Sequence, residues 1–408
     1  LLALCFCLRI LQAENWPEFR GPTGQGHSAE TKLPQMWDSK TNVAWSVELP
    51  GKGWSTPVVV DGRICLTTAI PQGTAAKSDQ SLEALCLDAR TGKLLWQTKV
   101  FQEDAKQAPG IHSKNSHASP TPIVSGKHLY VHFGHMGTAC LDLDGKIVWK
   151  NNDLKYAPVH GNGGSPILVD DLLIFSCDGS DQQFVTALDC GTGKVRWKTD
   201  RMSSASKKFS FHTPLLITVA GKKQVISQGS DVVVAVDPLD GKEIWRVRYE
   251  GYSVIPRPVF GDGLLFISTS YDKPQLLAIR PDGQGDVTET HVAWTSKTGA
   301  PNTPSLLLVG DQLYSASDRG NLTCYDAATG KVRFSERLGG AFSASPIFGG
   351  GKIYLQSEEG IGYVVTPGTE FQQPRKNDLG ERSLASYAAA DGALFIRTEK
   401  HLYRIEEK

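Results

Sequence analysis

One turn recurs along this chain and fixes what it can fold into. Asp88-Ala-Arg-Thr-Gly92-Lys-Leu-Leu-Trp96, Asp189-Cys-Gly-Thr-Gly193-Lys-Val-Arg-Trp197 and Asp237-Pro-Leu-Asp-Gly241-Lys-Glu-Ile-Trp245 are its clearest copies. Shorter or weaker copies end at Trp149, Trp294 and Phe334, and Trp45 stands in a similar setting near the N-terminus. Recurrence at about 40 to 50 residues predicts a propeller of four-stranded blades. Each unit opens with a small polar residue and proline, as at Thr56-Pro57, Ser165-Pro166, Thr213-Pro214, Thr303-Pro304 and Ser345-Pro346. Proline is tolerated at the first residue of a strand, where no ladder donor is needed, so these pairs mark strand starts. Two-residue turns such as Asp61-Gly62, Asp262-Gly263 and Asp391-Gly392 then separate runs of β-formers, which read as hairpins.

The units number eight. The last, Leu384 to Lys408, supplies three strands and lacks a Gly-Lys-x-x-Trp strand of its own. The missing strand is expected around Val43 to Leu49, so that the two ends of the chain share one blade and leave no open sheet edge. The expected fold is all-β, an eight-bladed propeller with its last blade closed by an N-terminal strand.

The repeats reduce 408 residues to one propeller unit, 42–408, preceded by an extended arm, 14–41. Residues 1–13 are mostly apolar and end on Leu-Gln-Ala, which reads as an export signal without its initiating Met and places the protein in the periplasm or otherwise outside the cytoplasm. No other stretch approaches the roughly 20 apolar residues of a membrane span. Forty-three basic side chains balance 43 acidic ones and form no long run, which argues against nucleic acid as a partner. A monomer is expected. Cys86, Cys140 and Cys324 stand two residues before the turn Asp, where other units have Ala187, Ala235 and Ala278, so the position wants a small buried apolar group. Cys65, Cys177 and Cys190 occupy unrelated repeat positions, and pairing among them stays open.

The pattern Ala-x-Asp-x-x-Thr-Gly-x-x-x-Trp, matched by Ala187 to Trp197 and more loosely by Leu85 to Trp96 and Ala235 to Trp245, resembles the tryptophan-docking repeat of the pyrroloquinoline quinone (PQQ) propeller superfamily. The arm Trp16-Pro-Glu-Phe-Arg-Gly-Pro-Thr-Gly-Gln-Gly26 is similar to the lead-in of exported PQQ-like repeat proteins. The resemblance implies that each repeat Trp packs between neighbouring blades. It implies two alternatives for function. Quinoprotein alcohol dehydrogenases hold PQQ and Ca²⁺ over the propeller axis with Asp, Glu and Asn ligands. Binding propellers, such as the lipoprotein of the outer-membrane assembly machinery, have no catalytic centre. This chain lacks the adjacent cysteine pair and the Cys-x-x-Cys-His haem motif of the first kind, which favours the second. Fold alone does not decide.

The blade-joining loops, Phe101 to Ala118, Lys150 to Gly164, Thr199 to His212 and Gln372 to Ser383, are long, and the turns on the other face are tight. Residues just before each strand-opening Pro therefore converge on one mouth of the central channel, where function is expected. From that ring the candidate ligand-binding residues are Trp54, His117, His160, Asn162, His212, Arg257 and Asn302. Convergent polar donors with aromatic walls suit a small molecule or a segment of a protein partner. His117, His160 and His212 come from three adjacent blades, but no short His-x-His pair supports a metal. Were PQQ bound, Arg257 and the histidines would face its carboxylates and Trp54 or Phe211 its ring, although Glu381 is the only acid on the ring to serve Ca²⁺. No Gly-x-Ser-x-Gly elbow offers hydrolase chemistry. The expected function is a non-catalytic binding or scaffold module, with a PQQ-dependent oxidoreductase of alcohols or sugars as the alternative.

Overall fold

A computed structural model describes residues 14–74 and 78–407, and the export-signal reading of residues 1–13 lies outside them. Eight antiparallel sheets follow one another around an axis. The first blade is Val58–Val60, Arg63–Pro71, Gln80–Asp88 and Leu94–Glu103, and the second is Ile123–Ser125, His128–His132, Thr138–Asp142 and Ile147–Asn151. The last sheet is ordered Val43–Glu48, His401–Ile405, Ala393–Arg397, Ala388–Ala390, with Val47 opposite Leu402, so the ring closes as the repeat count predicts. The fourth blade departs from four strands. Gly285–Asp286, from an insertion in the fifth unit, adds a short parallel strand beside Trp245.

The recurrent turn has a packing cause. Asp88 Oδ1 accepts the Thr91 backbone N–H at 2.8 Å and its hydroxyl at 2.7 Å, and Asp189 and Asp326 repeat the arrangement with Thr192 and Thr329. Gly92 then sits at φ 72°, and a Cβ there would lie 2.9 Å from the Trp45 ring of the preceding blade. At Gly145 it would lie 2.7 Å from Trp96. Five of the repeat indoles also donate across the blade gap to the carbonyl after the turn Asp, Trp45 to Ala89, Trp96 to Leu143, Trp149 to Cys190, Trp197 to Pro238 and Trp294 to Ala327, at 2.8 to 3.2 Å, while Trp245 donates to Gln224 Oε1. Only glycine fits both the backbone conformation and the ring. The small residue two before the Asp is explained as well. Cys86, Cys140, Ala187, Ala235 and Ala278 lie directly opposite Trp96, Trp149, Trp197, Trp245 and Trp294 in register, where a larger side chain would push the indole off its docking site. All six described cysteines, Cys65, Cys177 and Cys190 among them, carry free thiols.

The arm is not the peripheral lead-in that its position outside the repeats suggests. Trp16 is fully buried and bridges Val59, while Pro17 O accepts the N–H of Val124. Gln25 Oε1 takes the N–H of Phe260, His27 Nε2 meets Leu308 O at 2.7 Å, and Ser28 N donates to Phe348 O. The segment thus crosses from blades 1 and 2 to blades 5, 6 and 7 along the innermost strands and closes that end of the channel. Further on, Trp37 fills the space between blades 7 and 8. Its ring stacks on Tyr354 at 6.5 Å and meets Tyr387 edge-on at 6.3 Å, and the Trp37 backbone N–H donates to Asn377 Oδ1. The outer strand of blade 7, Arg375–Asp378, carries no tryptophan, so the arm supplies the aromatic that the repeat there lacks.

Candidate functional site

The residues that open the innermost strands form a belt around the axis. Thr56 N donates to Thr121 Oγ1, Thr121 N to Ser165 Oγ and Ser165 N to Thr213 Oγ1, at 2.9 to 3.0 Å. On the other side Arg257 N donates to Ser305 Oγ, Ser305 N to Ser345 Oγ and Ser345 N to Ser386 Oγ, over the same distances. Seven blades place a Ser or Thr on this belt and the fifth places Arg257. Hydroxyls satisfy the backbone donors left free at strand starts, and this is why a small polar residue recurs before the strand.

Above the belt the channel widens into a cavity of about 520 Å³. Its base is the hydroxyl belt and Phe19 of the arm, so it is closed below and opens among the long loops. Trp54, Phe209, Phe211, Tyr252 and Tyr271 form aromatic walls, with His112, Asn115 and His160 between them. Lys114 and Lys207 reach the wall, and no Asp or Glu lines it. Phe209 packs edge-on against both His160 and Tyr252, at 5.5 and 5.7 Å, and His160 lies 5.5 Å from His112. Burial, reinforced by the neighbouring His112, lowers the His160 pKa, which favours its neutral form. The ammonium of Lys207 lies 4.2 Å above the Tyr252 ring and 3.1 Å from its hydroxyl. Loop Phe101 to Ala118 is fixed over the mouth by His112 N and Asn115 Nδ2, which both donate to His160 O, and by Arg382, which donates to Ser113 O and lies over Trp54.

Of the seven residues expected at this site, Trp54 and His160 line the cavity and five do not. His117 turns outward to pair with Glu103, Nδ1 to Oε2 at 2.5 Å. Asn162 is buried, accepts the Tyr156 hydroxyl at 2.8 Å and lies 3.0 Å from His135 Nδ1. His212 is buried against Ser176 and Ser227, beside the Arg201–Asp178 ion pair, and burial pushes its pKa well down. Asn302 is bound through its backbone to Asp318 and Ser270. Arg257 points toward the arm, donating to Pro214 O at 2.9 Å, Phe19 O at 2.6 Å and Glu18 at 3.1 Å. A side chain on or near the belt can turn along the blade gap as readily as into the channel, and His117, Asn162, His212 and Arg257 each find polar partners there.

Lys114, Lys207, Phe209, Tyr271 and Phe19 escaped selection. The first three lie within loops already marked as long, and their approach to the axis depends on loop conformation. Phe19 reaches the cavity through an arm that contains no repeat to align.

The wall does not suit a Ca²⁺-bound quinone. The cation needs several oxygen ligands with carboxylates among them. The nearby acids are held by partners: Glu358 by Lys114 and Ser343, Asp318 by Asn302 and Thr303. No group of three or more His, Cys, Asp or Glu side chains among the described residues is arranged to hold a metal ion. The arginine expected to face a ligand carboxylate is instead bound to the arm.

A family model described as outer membrane protein assembly factor BamB matches residues 37–212, 181–309 and 286–394. Polyvinylalcohol dehydrogenase of Sphingopyxis sp. (strain 113P3) is 24% identical over 77% of this chain and 62% of its own length. Outer membrane protein assembly factor BamB of Yersinia pestis is 25% identical over 50% of each. The chain therefore spans between half and two thirds of the length of these curated relatives. Among solved structures, BamB from Moraxella catarrhalis superposes with a TM-score of 0.61 at 14% identity, covering 90% of this chain and 97% of that one. A europium-containing methanol dehydrogenase superposes with a TM-score of 0.66 at 11% identity, covering 96% and 98%. Both likenesses concern the fold. Repeat, ring closure and family match agree, and the chain belongs to the PQQ-like propeller family whose model is described as outer membrane protein assembly factor BamB.

Proposed function

We propose that this protein is an exported, non-catalytic binding or scaffold propeller that holds a small molecule or a segment of a protein partner in its loop-rich mouth. The observation that carries this reading is the cavity of about 520 Å³, closed below by the arm and walled by aromatics and hydroxyls without a carboxylate. Such a wall offers area and hydrogen bonds for holding a ligand. It offers no paired acid and base and no carboxylate ligand for Ca²⁺. Relatives named as assembly factors support the same reading. The apolar segment 1–13 supports export. Among the described residues no helix is long and apolar enough to cross a membrane.

Relatives named as dehydrogenases favour the second reading, a PQQ-dependent oxidoreductase. Native mass spectrometry after incubation with PQQ and Ca²⁺, combined with a dye-linked alcohol oxidation assay, separates the two. A chain without added mass and without activity is expected. A retained quinone, with turnover that disappears on chelation, would overturn the binding reading.

A further inference from the structure

Lys114 is a charged side chain that joins the cavity wall to another blade across its mouth. It belongs to the loop that follows blade 1, yet its Nζ lies 2.7 Å from Glu358 Oε1 of blade 7. The same carboxylate oxygen accepts the Ser343 hydroxyl at 2.6 Å. Asp318 and Tyr271, from blades 6 and 5, also act on its charge, so the ammonium extends over the mouth toward three other blades of the ring. Lys114 and Ser343 line the cavity and Glu358 does not. The acid therefore stands behind the wall and the ammonium in it.

An ammonium has three donors. Glu358 is the single hydrogen-bond or ion-pair partner found for Lys114 Nζ among the described residues, which leaves two donors beside the cavity. Burial alone would lower the Lys114 pKa, but Glu358 outweighs it and the group stays charged. A cationic ligand would find no acid on the wall. A neutral one would leave the ammonium unused. An anionic group can take the two spare donors, in competition with Glu358 for the same charge.

We propose that Lys114 is the anion-recognising residue of this cavity, which accepts ligands carrying a carboxylate, sulfonate or phosphate on an apolar body. Glu358 holds the ammonium over the mouth when no ligand is bound and weakens its pull on an incoming anion. The inference rests on the reading of the cavity as a ligand site, and its test separates the two.

Two dyes serve as probes of the full chain: 8-anilinonaphthalene-1-sulfonate, and N-phenyl-1-naphthylamine, the same ring system without the sulfonate. Both should bind with enhanced fluorescence, and Ile255→Trp, which fills the apolar wall, should weaken both. Lys114→Gln should weaken the sulfonate dye about tenfold, the loss of a charge-assisted hydrogen bond, and leave the neutral dye within about twofold. Lys114→Arg should restore the sulfonate dye, and Glu358→Gln should strengthen it by removing the competing charge. Equal changes for the two dyes in Lys114→Gln, or none, would overturn the role of Lys114 alone. Dyes that fail to bind, or that ignore Ile255→Trp, would overturn the cavity as a ligand site and this inference with it.

Discussion

Trp37→Ala measures how far the arm is part of the propeller. The ring is buried between blades 7 and 8, against Tyr354 on one side and Tyr387 on the other. Removing a large buried aromatic costs about 3 to 5 kcal/mol. One term runs the other way, because the indole N–H of Trp37 is buried and has no acceptor. A buried unpaired donor costs roughly 1 to 3 kcal/mol, and that penalty disappears with the side chain. The net loss should therefore centre on about 2 kcal/mol. Trp37→Phe keeps a ring between the two tyrosines and removes the orphan donor, so its effect should stay within about 1 kcal/mol of zero. Trp197→Ala gives the comparison. Its indole donates to Pro238 O at 2.8 Å, so nothing offsets its loss of about 3 to 5 kcal/mol. Urea unfolding followed by far-ultraviolet circular dichroism reads all three, and midpoints are compared at equal slope. A Trp37→Ala midpoint equal to that of the native chain, beside a clear fall for Trp197→Ala, would refute the claim that the arm completes the blade 7–8 interface.

Arg257→Ala leaves Glu18, whose pKa burial already raises against the pull of Arg257, without a counter-charge. The expected loss is about 3 to 5 kcal/mol, and limited proteolysis should cut the arm near residues 18–26 while the blades stay intact. The Glu103 carboxyl carries a pH dependence. Burial would raise its pKa, but hydrogen bonds from His117 and His135 outweigh burial and hold it at about 2. A depressed carboxyl contributes stability above its unfolded value of about 4.3, and the contribution is lost as pH falls toward 2. For a shift of this size it is about 3 kcal/mol. Native protein should therefore lose more melting temperature between pH 5 and pH 2.5 than Glu103→Gln does, and parallel profiles would contradict the pairing.

The fold was legible because its cause is local and repeated. A turn that needs Thr to bond Asp and Gly to admit a tryptophan leaves the same letters in unit after unit, and the absence of a fourth strand after Ile405 pointed to Val43–Glu48. The mouth was legible as a place, since loop length shows which face is elaborated, and Trp54 and His160 lie on its wall. The other five lie off the cavity wall, because the direction a side chain takes around the axis is set by individual partners and not by its place in the repeat. Arg257 is the clearest case: it interrupts a belt of hydroxyls to bind Glu18, 239 positions earlier. Asn162 and His212 are likewise bound to partners behind the wall. The burial of the arm was not legible for a related reason. Trp16 and Trp37 have no repeat context, and their burial arises from contacts with Val59 of blade 1 and with Tyr354 of blade 7.

The threading of the arm fixes an order on folding. A chain made from its N-terminus presents Ser28, Trp37 and the Val43–Glu48 strand first, yet their partners at Phe348, Tyr354 and His401–Ile405 are made last. Blades 1 to 6 can form one after another as each hairpin set emerges, because their strands pair only with neighbours in sequence. Trp16 and Pro17 can settle on blades 1 and 2 early, but Ser28, Trp37 and the Val43–Glu48 strand wait for the last two blades. Loop closure on that scale is slow, so the last event should be the rate-limiting one and the exposed arm the species at risk of association. A protein of this design spends most of its synthesis with its channel open at both ends, and acquires its cavity and its stability in the same step.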